Sequence, residues 1–201
     1  MLLISIFTSI ANSPFALCKN VESFEKWAFL SDDIVESLVV VDGFVYLTSG
    51  VLFGCPLRLY CLDAITGNQI WNHSAFCFTV ANERVYIGAQ EAPRMVYCLD
   101  ARSGMELWKT NVTGWVTTVE VIGGFVYVIA GSMVYTFDAE TGVERWSYSD
   151  SVGASFRSLS VGDGYVCAVS SADPWTNQSV FSTVYFFNAL SGQKIWSYNR
   201  P

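Results

Sequence analysis

One histidine, six cysteines and eighteen acidic side chains are the groups with which this chain could do acid–base, nucleophilic or metal chemistry. His73 follows Trp71 and Asn72 with no evident nucleophile for it to activate. The cysteines at 18, 55, 61, 77, 98 and 167 form no Cys-X-X-Cys pair, and with one imidazole in the chain a structural zinc site lacks ligands. A calcium site wants about six to eight oxygen ligands. Asp32, Asp33, Asp42, Glu91, Asp150, Asp163 and Asp173 are scattered at turns and follow no ligand-loop spacing. There is no Gly-X-Ser-X-Gly elbow, since "GASFRS" is not one, and no glycine-rich phosphate loop, since "IGGF" reads as a hairpin turn. The sequons at Asn72, Asn111 and Asn177 matter only after export.

Three further aspartates stand in a repeated phrase. "LDAITGNQIW" (Leu62 to Trp71) returns as "LDARSGMELW" (Leu99 to Trp108), "FDAETGVERW" (Phe137 to Trp146) and "FNALSGQKIW" (Phe187 to Trp196). The acid or amide, the alanine, the hydroxyl residue, the glycine and the tryptophan keep their offsets, while the copies are 37, 38 and 50 residues apart. Fixed spacing within and loose spacing between is the mark of a repeated structural unit with variable loops. Asp63, Asp100 and Asp138 are therefore expected to close Asx-type turns, with Asn188 doing the same work in the fourth copy. Gly67, Gly104, Gly142 and Gly192 are expected to take the positive φ that such a loop needs.

The elements that position these residues can be read from the third copy, Thr117 to Tyr148. "TTVEV", "FVYVIAG", "MVYTF" and "VERWSY" are β-branched and aromatic runs separated by "IGG", a glycine and "DAETG". Met133, Tyr135 and Phe137 fall on one face of their strand, Val134 and Thr136 on the other. Four locally connected strands make an antiparallel meander. Runs such as "FVYVIAG" and "SLVVV" are apolar without alternation, as in sheets covered on both faces. Repeated four-stranded sheets covered on both sides are the blades of a β-propeller, so the expected class is all-β with few helices. A tryptophan that recurs once per unit, with a large buriable ring, most simply docks each blade onto its neighbour.

These phrases resemble the tryptophan-docking motif of the PQQ-like β-propeller repeat family. The preceding "VVVDGFVYLTSG", "TVANERVYIGAQ", "EVIGGFVYVIAG" and "SVGDGYVCAVSS" are similar to its first two strands. The resemblance runs from about residue 27 to the end and implies that Trp71, Trp108, Trp146 and Trp196 are docking residues. One departure is the residue after the motif tyrosine, usually alanine, here Cys61, Cys98, Thr136 and Phe186. The bulk of Phe186 implies less regular packing in the fourth blade. Trp27 precedes Tyr46 by 19 residues, the interval from Trp108 to Tyr127, and reads as the outer strand of another blade or the closing strand of a ring. Four blades and a spare strand imply a partial or open propeller, because family members usually close with more blades.

The expected organisation is residues 1–20 as an export signal or a leftover strand, then repeats over 21–201. The blades are placed at roughly 38–76, 77–115, 117–153 and 158–201. The N-terminal apolar stretch has the length of a signal core but no basic segment, the first lysine being Lys19. No apolar run is long enough to span a bilayer. Net charge is −7 and the eleven Lys and Arg are scattered singly, which disfavours nucleic acid and anionic membrane surfaces. Cys61 and Cys98 stand at equivalent points of successive blades, too far apart for a disulfide, and read as small buried hydrophobes. The other four cysteines could pair in an oxidising compartment.

The family resemblance implies two kinds of protein. Quinoprotein dehydrogenases hold pyrroloquinoline quinone and calcium and carry a vicinal cysteine pair that this chain lacks. The noncatalytic members are docking scaffolds. The expected function is the second: an exported, noncatalytic scaffold with no catalytic, cofactor or metal residue, binding a protein partner or itself. A fragment of a quinone- and calcium-dependent dehydrogenase is the alternative. Binding is expected on the rim loops. "SSADPWTNQSVFST" (170–183) offers Trp175 and "GVLFGCPLR" (50–58) offers Phe53 as contact anchors.

Overall fold

The computed structural model of the chain describes residues 27–29, 34–50, 57–89, 92–149, 154–171 and 182–200. Residues 1–20, Phe53, Trp175, Cys18 and Cys55 lie outside them, and with them the export signal, both proposed loop anchors and two of the cysteines available for pairing.

No helix occurs among the described residues, which form sixteen strands in four antiparallel sheets, each in simple meander order. The first sheet holds β1 (Val35–Val41), β2 (Phe44–Ser49), β3 (Arg58–Asp63) and β4 (Gln69–Ser74). The second holds β5 (Cys77–Ala81), β6 (Arg84–Gly88), β7 (Met95–Asp100) and β8 (Glu106–Asn111). The third holds β9 (Val116–Ile122), β10 (Phe125–Ala130), β11 (Met133–Asp138) and β12 (Glu144–Ser149), and the fourth β13 (Ser155–Gly162), β14 (Tyr165–Ser171), β15 (Ser182–Asn188) and β16 (Lys194–Arg200). The first and fourth sheets begin earlier than the hydrophobic runs indicate. Val35 pairs with Ser49 and Ser155 with Ser171 beyond a register shift that breaks the apolar pattern.

The chain divides into two compact units, Met1–Ser74 with the first sheet and Ala75–Pro201 with the other three. Every first hairpin turns on two residues with positive φ, as in Asp42-Gly43, Asn82-Glu83, Gly123-Gly124 and Asp163-Gly164. That is the twist-matched turn of tight hairpins.

In the second unit the sheets pack face to face. Tyr86, Val96, Cys98 and Trp108 of the second sheet share a core with Val126, Val128, Ala130, Tyr135 and Phe137 of the third. The other face of the third sheet, Tyr127, Ile129, Val134 and Trp146, is buried against Phe156, Leu159, Val166, Ala168, Tyr185 and Phe187 of the fourth. Both faces of the third sheet are thus covered, which is why "FVYVIAG" shows no alternation. In the first unit Val45, Leu47, Leu62 and Ala64 are covered by Trp27, Phe29 and Val35. Residues 27–29 are not part of a strand, so Trp27 reaches this face without a sheet of its own among the described residues.

Candidate interaction surface

The repeated turn uses one side-chain oxygen for several donors. Asp138 Oδ1 accepts from the Glu140 and Thr141 amides and from the Thr141 hydroxyl at 2.9–3.1 Å. Asp63 and Asp100 do the same with their own hydroxyl residues, Thr66 and Ser103. Asn188 Oδ1 takes the Leu190 and Ser191 amides and the Ser191 hydroxyl. All the turn donors meet Oδ1, so an amide serves as well as a carboxylate. The hydroxyl residue, whose role the spacing alone leaves unassigned, donates to that oxygen and accepts the amide two residues on, as in Val143 N–H to Thr141 Oγ1. Hydrogen bonds to the charged form hold the carboxyls of Asp63 and Asp100 below their usual range. For Asp138 the Arg145 guanidinium at 2.6 Å adds to them and brings the value to about 2.

The glycines of these turns meet a second requirement. Gly142 has φ +70, and a Cβ there would lie 2.6 Å from the Trp108 ring. At Gly192 (φ +68) the obstacle is the Trp146 ring at 2.5 Å, and at Gly67 (φ +74) it is Trp27 at 2.5 Å. Gly104 shares the conformation, φ +70. The indole N–H of each of those three tryptophans donates to the alanine carbonyl of the same turn: Trp27 to Ala64 (3.2 Å), Trp108 to Ala139 (3.0 Å) and Trp146 to Ala189 (2.9 Å). Ala139 O also receives Arg84 Nη1 at 2.9 Å and the Tyr86 hydroxyl at 3.3 Å, so the second and third sheets are clamped at one carbonyl. Trp71 is buried and lies 6.0 Å from Tyr46 of its own sheet.

The fourth sheet departs from the others by an exchange across strands. Tyr46, Tyr86 and Tyr127 stand opposite Cys61, Cys98 and Thr136, which stand opposite Trp71, Trp108 and Trp146. In the fourth sheet Cys167 occupies the tyrosine position and Phe186 the middle one. Large and small have changed places, so the summed volume is nearly kept. Phe186 now stacks on Trp196 at 4.9 Å and 10°, where the other sheets tilt tyrosine against tryptophan at 6.0–6.4 Å. Trp196 is 46% exposed, against 8% for Trp108 and 9% for Trp146.

No group of three His, Cys, Asp or Glu side chains is brought together among the described residues. His73 Nδ1 lies 2.7 Å from the Ser74 carbonyl oxygen. Cys61, Cys77, Cys98 and Cys167 are thiols. Burial pushes Cys61 and Cys98 up to about 11 and Cys77 to about 12, the wrong direction for nucleophiles.

A surface feature that the repeat pattern hides lies at the edge of the second and third sheets, where β6 passes to β7 and β8 to β9. Trp115 is 55% exposed, and the Arg94 guanidinium sits 5.5 Å from its ring centre. Its backbone is pinned: Gly131 N–H donates to Trp115 O at 3.0 Å, and Gly114 (φ +102) passes so close to Ala130 O that a Cβ would lie at 2.8 Å. Its signal in the sequence is a tryptophan outside the docking register, the same signal that Trp175 gives.

Residues 56–201 match the profile of a PQQ-like family described as "Outer membrane protein assembly factor BamB". Among solved structures, the fold is similar to the quinohemoprotein alcohol dehydrogenase from Comamonas testosteroni (TM-score 0.66, 18% identity, 83% of this chain and 35% of that one). It is also similar to BamB from Moraxella catarrhalis (TM-score 0.54, 16% identity, 85% and 63%) and to a europium-containing methanol dehydrogenase (TM-score 0.61, 16% identity, 84% and 42%). The chain therefore spans between about a third and three fifths of the length of these structures. No curated protein sequence matches it.

Proposed function

The chain belongs to the PQQ-like family of the outer membrane protein assembly factor, and from that premise we propose that it is a noncatalytic propeller scaffold that binds a protein partner through its rim loops. The observation that carries this reading is the division of labour among its polar groups. Asp63, Asp100, Asp138 and Asn188 are spent on turns, while an exposed tryptophan beside an arginine is held on a pinned loop. Tryptophan and arginine are the residue types that dominate interface energies, and a backbone already ordered loses little entropy on binding. Trp175 and Phe53 are proposed as further contact anchors for the partner. The scaffold acts outside the cytoplasm, without metal or quinone.

The test has two arms. A photo-crosslinking residue replaces Trp115 in one variant and Gly124, in a turn at the opposite edge of the third sheet, in another. Crosslinks to a protein from position 115 and none from 124 are expected; equal labelling from both overturns the rim assignment. In the second arm pyrroloquinoline quinone and Ca²⁺ are titrated into the chain by calorimetry. No saturable heat is expected; stoichiometric, calcium-dependent binding instead favours a dehydrogenase fragment.

A further inference from the structure

The rim of the second unit that holds Trp115 carries two further exposed polar side chains, and a repeated irregularity of the fold puts them there. In the third sheet Ile129 pairs with Thr118 and Ala130 with Val116, so Thr117 is the extra residue of a β-bulge. The ladder between β13 and β14 shifts at the equivalent point, between Phe156 and Ser158, and Arg157 is the extra residue there. A bulge re-aims a side chain out of the regular pleat, and bulges gather beside functional sites. Thr117 and Arg157 are both exposed, although each follows a buried residue, Val116 and Phe156.

Backbone bonds draw these positions together with Trp115. Gly131 donates its N–H to Trp115 O at 3.0 Å and accepts the Phe156 N–H at 2.9 Å, so one residue joins the start of β9 to the start of β13. Trp115 lies two residues before the first bulge residue, and Arg157 follows Phe156 directly. On the other side of Trp115 stands Arg94, its guanidinium 5.5 Å from the ring centre. The row therefore reads cation, exposed indole, hydroxyl, cation. Arg157 Nε donates to Ser171 Oγ at 3.1 Å, which steadies that guanidinium through one of its N–H donors. A cation–π contact leaves a planar guanidinium able to take a carboxylate in its fork, so Arg94 can serve the ring and an acid together.

We infer that this rim binds an acidic segment of the protein partner, with carboxylates on Arg94 and Arg157, an apolar or aromatic side chain on Trp115 and a hydrogen bond from the Thr117 hydroxyl. The inference rests on the scaffold reading and names the chemistry of its partner. Arginine forks match carboxylates bidentately, which fixes orientation as well as charge. The net charge of −7 does not oppose such a contact. Fields between exposed charges fade over about 10 Å at 0.1 M salt, so a short segment meets the two local cations while a long polyanion meets the acidic whole.

Fluorescence anisotropy tests this with a labelled peptide, acetyl-Gly-Asp-Glu-Phe-Glu-Asp-Gly-amide, beside a control in which each acid is replaced by its amide. The acidic peptide is expected to bind about tenfold or more tightly than the control, and to weaken as salt is raised. Arg157→Gln, Arg94→Gln and Trp115→Ala should each weaken it about fivefold or more, with urea midpoints showing that the variants fold. Arg102→Gln removes an exposed cation from the turn between β7 and β8, at the opposite edge of the second sheet, and should leave binding unchanged. Equal affinity for the two peptides, or binding of neither, overturns the inference. So does acidic-peptide binding that survives both site arginine variants, and so does an equal loss with Arg102→Gln. If position 115 crosslinks to a protein but the acidic peptide does not bind, the inference falls and the scaffold reading stands. No crosslink from position 115 removes the partner and takes both down.

Discussion

At the scale of single residues, the turn glycine answers two demands at once. Gly142 and Gly124 belong to the same sheet and both have positive φ, but a Cβ meets the Trp108 ring at Gly142 and nothing within 4 Å at Gly124. Gly124→Ala is expected to cost about 1–2 kcal/mol from the left-handed conformation alone. Gly142→Ala should cost more, on the order of 3 kcal/mol, because the docked ring must also move. Urea unfolding midpoints of the two variants measure the difference. The turn aspartates make a second prediction. Their folded-state pKa values lie below the unfolded value of about 3.9, so their stabilisation is complete above about pH 4 and is lost as the pH falls through the folded values, which for Asp138 means toward about 2. Asp138→Asn keeps the acceptor that serves at Asn188 and loses the Arg145 ion pair. It should change stability by under about 1 kcal/mol at neutral pH and flatten the decline between pH 4 and 2, read from urea midpoints against pH.

At the scale of elements, the interface between sheets concentrates on one side chain and one carbonyl. Trp108 loses a buried ring and a shared hydrogen bond when truncated, and Trp108→Ala is expected to cost about 3–5 kcal/mol. Trp196→Ala, which removes a half-exposed ring stacked on one neighbour, should cost about 1 kcal/mol in the monomer. Chemical unfolding of the two variants, at concentrations below any association, compares them. Two thiols of this interface, Cys98 buried and Cys77 half-buried, report the same packing. Cys77 and Cys98, raised to about 12 and 11, should resist a thiol reagent at pH 8 in the native chain and react at once in denaturant, which peptide mass spectrometry after quenching resolves. The exchange of large and small between Cys167 and Phe186 shows why one strand cannot be judged alone. A phenylalanine in a small position fits when its cross-strand partner has given up its ring.

At the scale of the whole molecule, the acidic balance and the distribution of cations shape the partners. Eleven Lys and Arg against eighteen acids leave a net charge of −7, and several of the cations are engaged within the fold, Arg84 with Ala139 and Glu140, Arg145 with Asp138. The chain should pass through a heparin column at about 0.1 M salt, and firm retention there would contradict the expectation that polyanions are disfavoured as partners. The meander, the turns and the periodicity of the core were legible in the sequence, because hydrogen bonds within a four-stranded repeat join residues close along the chain. The spacing of Asp138, Thr141, Gly142 and Trp146 states a local geometry that recurs wherever the phrase recurs. What the phrase could not state is which copy meets a neighbour. Trp146 and Trp196 stand in the same words, and one is buried while the other is half exposed, because burial depends on a sheet that lies elsewhere in the chain. Trp115 announced itself only by standing outside the docking register, and its setting was hidden for the same reason. Its exposure and its pairing with Arg94 arise from two connections brought to one edge by the folding of two successive sheets, a proximity that no spacing along the chain encodes.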